Sequence, residues 1–208
     1  MLVAAAPLHA QVSADRPEKG GPPTKVKVTA RIVDIAAIDN VKQQFTLDIF
    51  VSFSWADPRL ALAGSSALGE ERVLGLNELW MPRITAANSR DLQTRLPEQV
   101  VVDDFGNVTY VQRFFGNLAV DMEFKAFPFD SQILPVELVS YGHNVDELQI
   151  LNDADGSGMS DDFSVEGWVF SALPVDNEPF KIVGQSGQVP KLSIRIKAER
   201  EASYYLLT

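Results

Sequence analysis

Few side chains in this sequence have the type and spacing that catalysis or metal binding requires. Asp153, Asp155, Ser157 and Asp161 offer oxygens at offsets 1, 3, 5 and 9, with Gly158 at 6, as a calcium loop would. Ser164 stands where such a loop carries its bidentate Glu, and no helical pattern flanks the stretch, so an EF-hand is excluded. A solvated acidic loop is the other reading. His143 is the only histidine beyond the first ten residues, which argues against a histidine-based triad or zinc cluster. Asp103 and Asp104 are neighbours, and neighbours on a strand point to opposite faces, so they read as a solvated turn and not as an acid/base pair. With no cysteine there is no thiol nucleophile, thiolate site or disulfide framework. Enzyme chemistry is therefore not expected, and calcium is the one cofactor the spacing admits.

What remains is a chain rich in apolar and aromatic residues. At 46% hydrophobic, with 12 Phe, 3 Trp and 4 Tyr in 208 residues, it can bury one sizeable core. A net charge of −10 would repel phosphates, which disfavours nucleic acid and favours cations, amines or a basic partner. No run of about 18 apolar residues occurs, so no span of a membrane is expected within the sequence. Residues 1–10 read as the tail of a signal peptide, and the Ser, Pro and Gly-rich stretch to Pro23 extends a disordered leader. The domain is expected from Thr24 to Thr208.

The elements that would position any site are strands. Apolar residues alternate through Val26, Val28, Ala30 and Ile32, and again through Phe45, Leu47, Ile49, Val51 and Phe53, around an Asp39-Asn40 turn. Further runs lie at 99–103, 107–114, 118–124, 133–139, 163–172, 180–183 and 191–198, with a hairpin signal at 104–107. This cadence predicts an all-β, immunoglobulin-like sandwich of about ten strands with a short N-terminal or internal helix. Val73, Leu76 and Leu79, three apart, place that helix within 70–79.

Four marks occur in order along these strands: Trp55-Ala-Asp57-Pro-Arg-Leu60, Trp80-Met-Pro82, Phe127-Pro128-Phe129-Asp130, and Arg200 followed by Tyr204-Tyr205. In FPFD, Pro128 fixes its own backbone and Asp130 can bond nearby amides, which suits a tight packed loop. Together the marks resemble the ligand-binding domain of pentameric ligand-gated ion channels, the Cys-loop receptor superfamily, and especially its prokaryotic members. The two loop cysteines of animal receptors correspond to Val120 and Leu134 here, a loss seen in prokaryotic members. The resemblance covers about Lys25 to the end and implies that the first transmembrane helix would follow Thr208.

The resemblance also implies a site. Agonist would sit between neighbouring subunits of a homopentamer, with Tyr141 from the second ligand loop, Phe180 from the third and Phe50 from the facing subunit. Ala87 stands where receptors for quaternary amines place a Tyr, and no vicinal cysteines occur in the third loop, so a complete aromatic cage is not visible. A small primary amine, a proton or an acid is the agonist expected. Coupling toward the membrane domain falls to Asp39, Phe127, Pro128, Phe129, Asp130 and Arg200, with Asp130 and Arg200 expected to pair. The implied place is the cell membrane, with this domain in the periplasm or outside the cell, and the acidic excess favours cation conduction. The competing class is a secreted β-sandwich that holds a carbohydrate or calcium.

Overall fold

The computed structural model describes residues 15–62, 69, 71–182 and 187–201. Twelve strands run in chain order: β1 Thr24–Asp39, β2 Gln44–Ala56, β3 Arg72–Gly75, β4 Ile84–Ala86, β5 Gln93–Thr94, β6 Gln99–Val102, β7 Asn107–Ala119, β8 Ser131–Ser140, β9 Leu148–Asn152, β10 Gly158–Met159, β11 Trp168–Ala172 and β12 Lys191–Arg200. They form two sheets. One has the order β10-β1-β2-β7-β6-β3, with β5 also on β7 and β9 on β1; the other has the order β11-β12-β8-β4. An all-β sandwich is thus what the sequence builds. Among the described residues no helix is long and apolar enough to cross a membrane.

Alternation decides which side of each strand is inside. On β2, Phe45, Leu47, Ile49, Val51, Phe53 and Trp55 are all buried, because successive side chains point to opposite faces. The even positions of β8 and β12 do the same for the second sheet: Leu134, Val136 and Leu138 lie beside Ile196, Ile194 and Leu192 on its inner face, with Ala198 following, and all join the one core. β1 keeps this phase through Ile32, then shifts at irregularities before Asp34 and Ala37, so that Ile35 takes the inward place.

Several expected elements differ. The helix placed within 70–79 is absent among the described residues. Arg72–Gly75 pairs with β6 as strand β3, and Val73 is exposed while Leu79 is buried, so the three-residue spacing does not mark one face. Among the described residues the one helical turn is a 3-10 helix at Pro58–Leu60, capped by the buried Asp57. The runs at 107–114 and 118–124 begin as one strand, β7, which ends at Ala119. It passes through Gly116 at φ +150°, where a Cβ would lie 2.7 Å from the Asp91 carbonyl oxygen. The run at 163–172 is strand only from Trp168, and Phe180 makes a single bridge to Val189; Val183 lies outside the described residues.

At the N-terminus the structure describes the chain from residue 15. Residues 1–14, which carry the signal-peptide reading, lie outside the described residues. Residues 15–23, however, are turns held on the fold by Arg16, which is buried and donates to the Gly21 and Pro22 carbonyls and to Thr24 Oγ1.

The expected hairpin at 104–107 joins β6 to β7, and its tip packs on the Trp55–Leu60 segment. Asp57 N donates to the Gly106 carbonyl at 2.8 Å. Gly106 has φ +83°, and a Cβ there would come 2.4 Å from the Asp57 carbonyl oxygen. Gly106→Ala should therefore lower stability by about 2 kcal/mol or more in urea unfolding, since left-handed backbone strain adds to the collision. A loss below about 0.5 kcal/mol would contradict this packing.

Candidate functional site

Two regions gather residues singled out in the sequence. The first is the pole where β12 ends. The inward phase of β12 runs Leu192, Ile194, Ile196, Ala198, Arg200, and that of β8 begins with Gln132 and extends back to Asp130 just before the strand, so the same periodicity carries a cation and a carboxylate into the interior. The antiparallel register pairs Ala198 with Gln132 and Glu199 with Ser131, and continues as Arg200 N donating to the Asp130 carbonyl at 3.1 Å. Arg200 Nε then lies 2.6 Å from Asp130 Oδ1 and its NH2 lies 3.1 Å from Oδ2, a bidentate pair with side chains 1% and 2% exposed.

Aromatic and amide groups complete this cluster. Trp168, opposite Arg200 on β11, stacks its ring 4.1 Å from the guanidinium carbon, and the Phe127 ring lies 5.1 Å away. Gln132 Nε2 donates to Asp130 Oδ2 at 2.7 Å and to the Glu123 carbonyl at 2.8 Å, which ties the start of the FPFD loop to the pair. Within that loop, Phe127 N bonds the Phe124 carbonyl and Phe129 N the Ala126 carbonyl, two consecutive turns around Pro128. Phe127 and Phe129 are 53% and 71% exposed. Asp39 serves its own turn, accepting from Val41 N and Lys42 N, and these bonds hold its carboxyl below the usual range.

The second region is divided between the sheets. On the second sheet, the register pairing Val139 with Lys191 continues through Ser140 N to the Pro190 carbonyl, which sets Tyr141 beside the Phe180–Val189 bridge. Ala87 N donates to the Glu137 carbonyl, Glu137 Oε1 lies 3.3 Å from Lys191 Nζ, and Lys191 Nζ sits 5.7 Å from the Phe180 ring centroid. Tyr141 and Phe180 are about two-fifths exposed. Phe50 is elsewhere, on the outward phase of β2 in the first sheet. Arg113, its partner on β7, lies over its ring at 5.2 Å and grips Asp48 through bonds of 2.9 and 2.6 Å. Ala87, Tyr141 and Phe180 thus belong to the side of the second sheet, and Phe50 to the other sheet.

Arg113, Asp48, Glu137 and Lys191 were not singled out in the sequence. Their one signal is position: charged residues on the outward phase of strands whose inward phase is apolar. Asp104, read as part of a solvated turn, is in fact buried and accepts from Gly69 N, while Asp103 caps the hairpin.

The acidic loop does not converge. Asp153 faces Thr29 Oγ1 at 3.3 Å and Lys27 Nζ at 3.8 Å, Ser157 Oγ donates to the Asp153 carbonyl, and Asp155 and Asp161 are exposed. Among the described residues no three His, Asp or Glu side chains group as metal ligands would.

A pH test follows from the buried pair. The Arg200 hydrogen bond, helped by Gln132 and opposed by burial, holds the Asp130 carboxyl below its usual range. A depressed folded value means stability that is present above the unfolded carboxylate value of about 4 and lost as pH falls through the folded one. Asp130→Asn should cost about 3–5 kcal/mol at pH 7, because a buried Arg loses its counter-charge. It should also flatten the acid limb of the stability curve between about pH 5 and 2. Asp39, Asp91 and Asp103 are also held low and act in both proteins, so the difference curve isolates Asp130. Parallel curves for the two proteins would refute the assignment.

Comparison with known proteins fits this geometry. The chain is 22% identical over 184 residues to a proton-gated ion channel of Gloeobacter violaceus, covering 88% of this chain and 51% of that protein. It spans about half the length of that relative. The model of the neurotransmitter-gated ion-channel ligand binding domain matches residues 9–200, nearly the whole sequence, and the chain belongs to that family.

Proposed function

We propose that this domain senses agonist outside the cytoplasm for a pentameric ligand-gated channel and opens a cation pore through the FPFD loop and Arg200. The observation that carries the reading is the division of the aromatic residues. Tyr141 and Phe180 lie on one sheet and Phe50 on the other, so one binding site can use all three only where the face of one copy meets the opposite face of the next. A closed ring of identical subunits provides such heterologous seams. With a charge of −10 on each subunit, the enclosed vestibule would concentrate cations.

The resident charges narrow the agonist. Phe50 and Phe180, which a cationic ligand would need, already carry Arg113 and Lys191, and each of these is paired with a carboxylate. An amine would have to displace them, forfeiting about 0.5–2 kcal/mol per contact. An acid would meet Arg113 and Lys191 directly, and a proton would compete for neither ring. Acids and protons are therefore favoured over amines.

Current recording from the full channel tests this. Steps of pH or small carboxylates should open a cation current where equal concentrations of amines do not. Phe50→Ala should shift the half-activating concentration about tenfold or more, the scale of one lost aromatic contact and its packing. Activation by amines alone, or an unshifted Phe50→Ala response, would remove the proposal.

A further inference from the structure

We propose that the pocket between the Leu76–Arg83 segment and Gly142–His143 binds a small organic carboxylate through residues of a single copy of the chain. The pocket has a volume of about 440 Å³, within the range that holds small ligands. Leu76, Leu79 and Trp80 give it an apolar side, and Asn77, Arg83 and His143 a polar one.

Arg83 is the residue that points to an anion. Its backbone stands at φ +50°, a left-handed conformation that a non-glycine residue adopts only when its surroundings hold it there. Its stem lies over Gly142, where an added Cβ would come 3.3 Å from Arg83 Cδ, so the glycine lets the arginine lie flat against the loop. Among the described residues, its guanidinium has no hydrogen bond or ion pair, unlike those of Arg59, Arg113 and Arg200. A planar fork of donors with no partner, at the rim of a half-apolar cavity, matches a carboxylate carried on an apolar body.

The surrounding charges agree. Arg16 approaches from the N-terminal turns, with its hydrogen bonds to two carbonyls and the Thr24 hydroxyl. Glu147 is the nearby carboxylate, 3.9 Å from His143 Nδ1. The neighbouring Glu78 is occupied by Gly75 N at 2.6 Å. The two guanidinium groups thus balance the carboxylates of Glu147, which also accepts from Asn144 N, and Glu78, in an otherwise acidic chain. His143, packed 5.3 Å from the Trp80 ring, has its pKa lowered first by burial and further by Arg16 and Arg83, against the pull of Glu147. It is neutral at pH 7 and would gain charge as the pH falls, adding a second cationic donor beside the ligand.

The test uses this 208-residue chain and needs no channel activity, so its outcome is independent of the proposed gating. Sodium benzoate and the neutral isostere benzamide are titrated at constant ionic strength while the amide resonances of Asn77, Gly142 and His143 are followed. Benzoate should give saturable shifts at these residues, with benzamide at least about tenfold weaker, the scale of one charge-assisted bond. Arg83→Gln should weaken benzoate by a similar factor with the circular dichroism spectrum unchanged. Because the His143 value is held below the usual 6.5, lowering the pH from 7.5 to about 5 should tighten benzoate binding in the parent and not in His143→Asn. Equal affinities for benzoate and benzamide, an unaffected Arg83→Gln variant, or shifts that never saturate would each overturn the proposal.

Discussion

The rest of this structure depends on a matter of strand register: Arg200 lands opposite Asp130 on one side and Trp168 on the other. Both charged residues occupy the inward phase of strands that otherwise bury Val, Leu and Ile, so neither can reach water without breaking the alternation that forms the core. An Arg left alone in such a place would be strongly destabilising, and the bidentate contact, Gln132 and two aromatic faces are what make its burial tolerable. The same contact couples the end of β12 to the FPFD loop. A displacement of either is felt by the other because interiors this closely packed switch between arrangements instead of deforming smoothly.

At the outward faces the chemistry is of a different kind. Phe50 with Arg113 and Asp48, and Phe180 with Lys191 and Glu137, repeat one arrangement on the two sheets: an aromatic ring, a cation over it and a carboxylate holding the cation. Apart from Asp48, which is buried, these groups are partly exposed, so their contacts are worth little to folding and can exchange partners. Interaction energy that is small in the resting chain and redistributed by a ligand or a proton is what a sensing face needs, since a ligand shifts an equilibrium only by its preference between states. On the proposed function, the buried pair would serve transmission and the outward triads detection.

Much of the fold was legible because its signal is the simplest one: period-two alternation through Phe45 to Trp55 and through Leu192 to Ala198 marks strands and their inner faces together. The same count, carried two residues further, puts Arg200 inside, and the even phase of β8 puts Asp130 there. Local pattern failed where a tertiary contact overrode it. The spacing of Val73, Leu76 and Leu79 resembles a helix, yet pairing with β6 makes Arg72–Gly75 a strand. Gly116 lets β7 continue past the point where the sequence suggests a break. Arg16 anchors a stretch whose composition reads as disordered, because a single buried guanidinium outweighs the Pro and Gly around it. The spacing of oxygens in the acidic loop was present in the sequence, but the strands flanking it send Asp153 toward Thr29 and Lys27. The outward charges near Phe50 and Phe180 had no motif, since only pairing across strands brings them together.

The central claim is that the buried contact between Asp130 and Arg200 links the FPFD loop to the end of β12 and carries the gating signal. A double-mutant cycle in the full channel, with Asp130→Asn and Arg200→Gln singly and together, measures that link in the agonist concentration response. The account predicts strong non-additivity, with the double variant shifted far less than the sum of the single shifts and a coupling of about 1 kcal/mol or more. Additive shifts would mean that the two residues act on gating independently, and the account would be wrong.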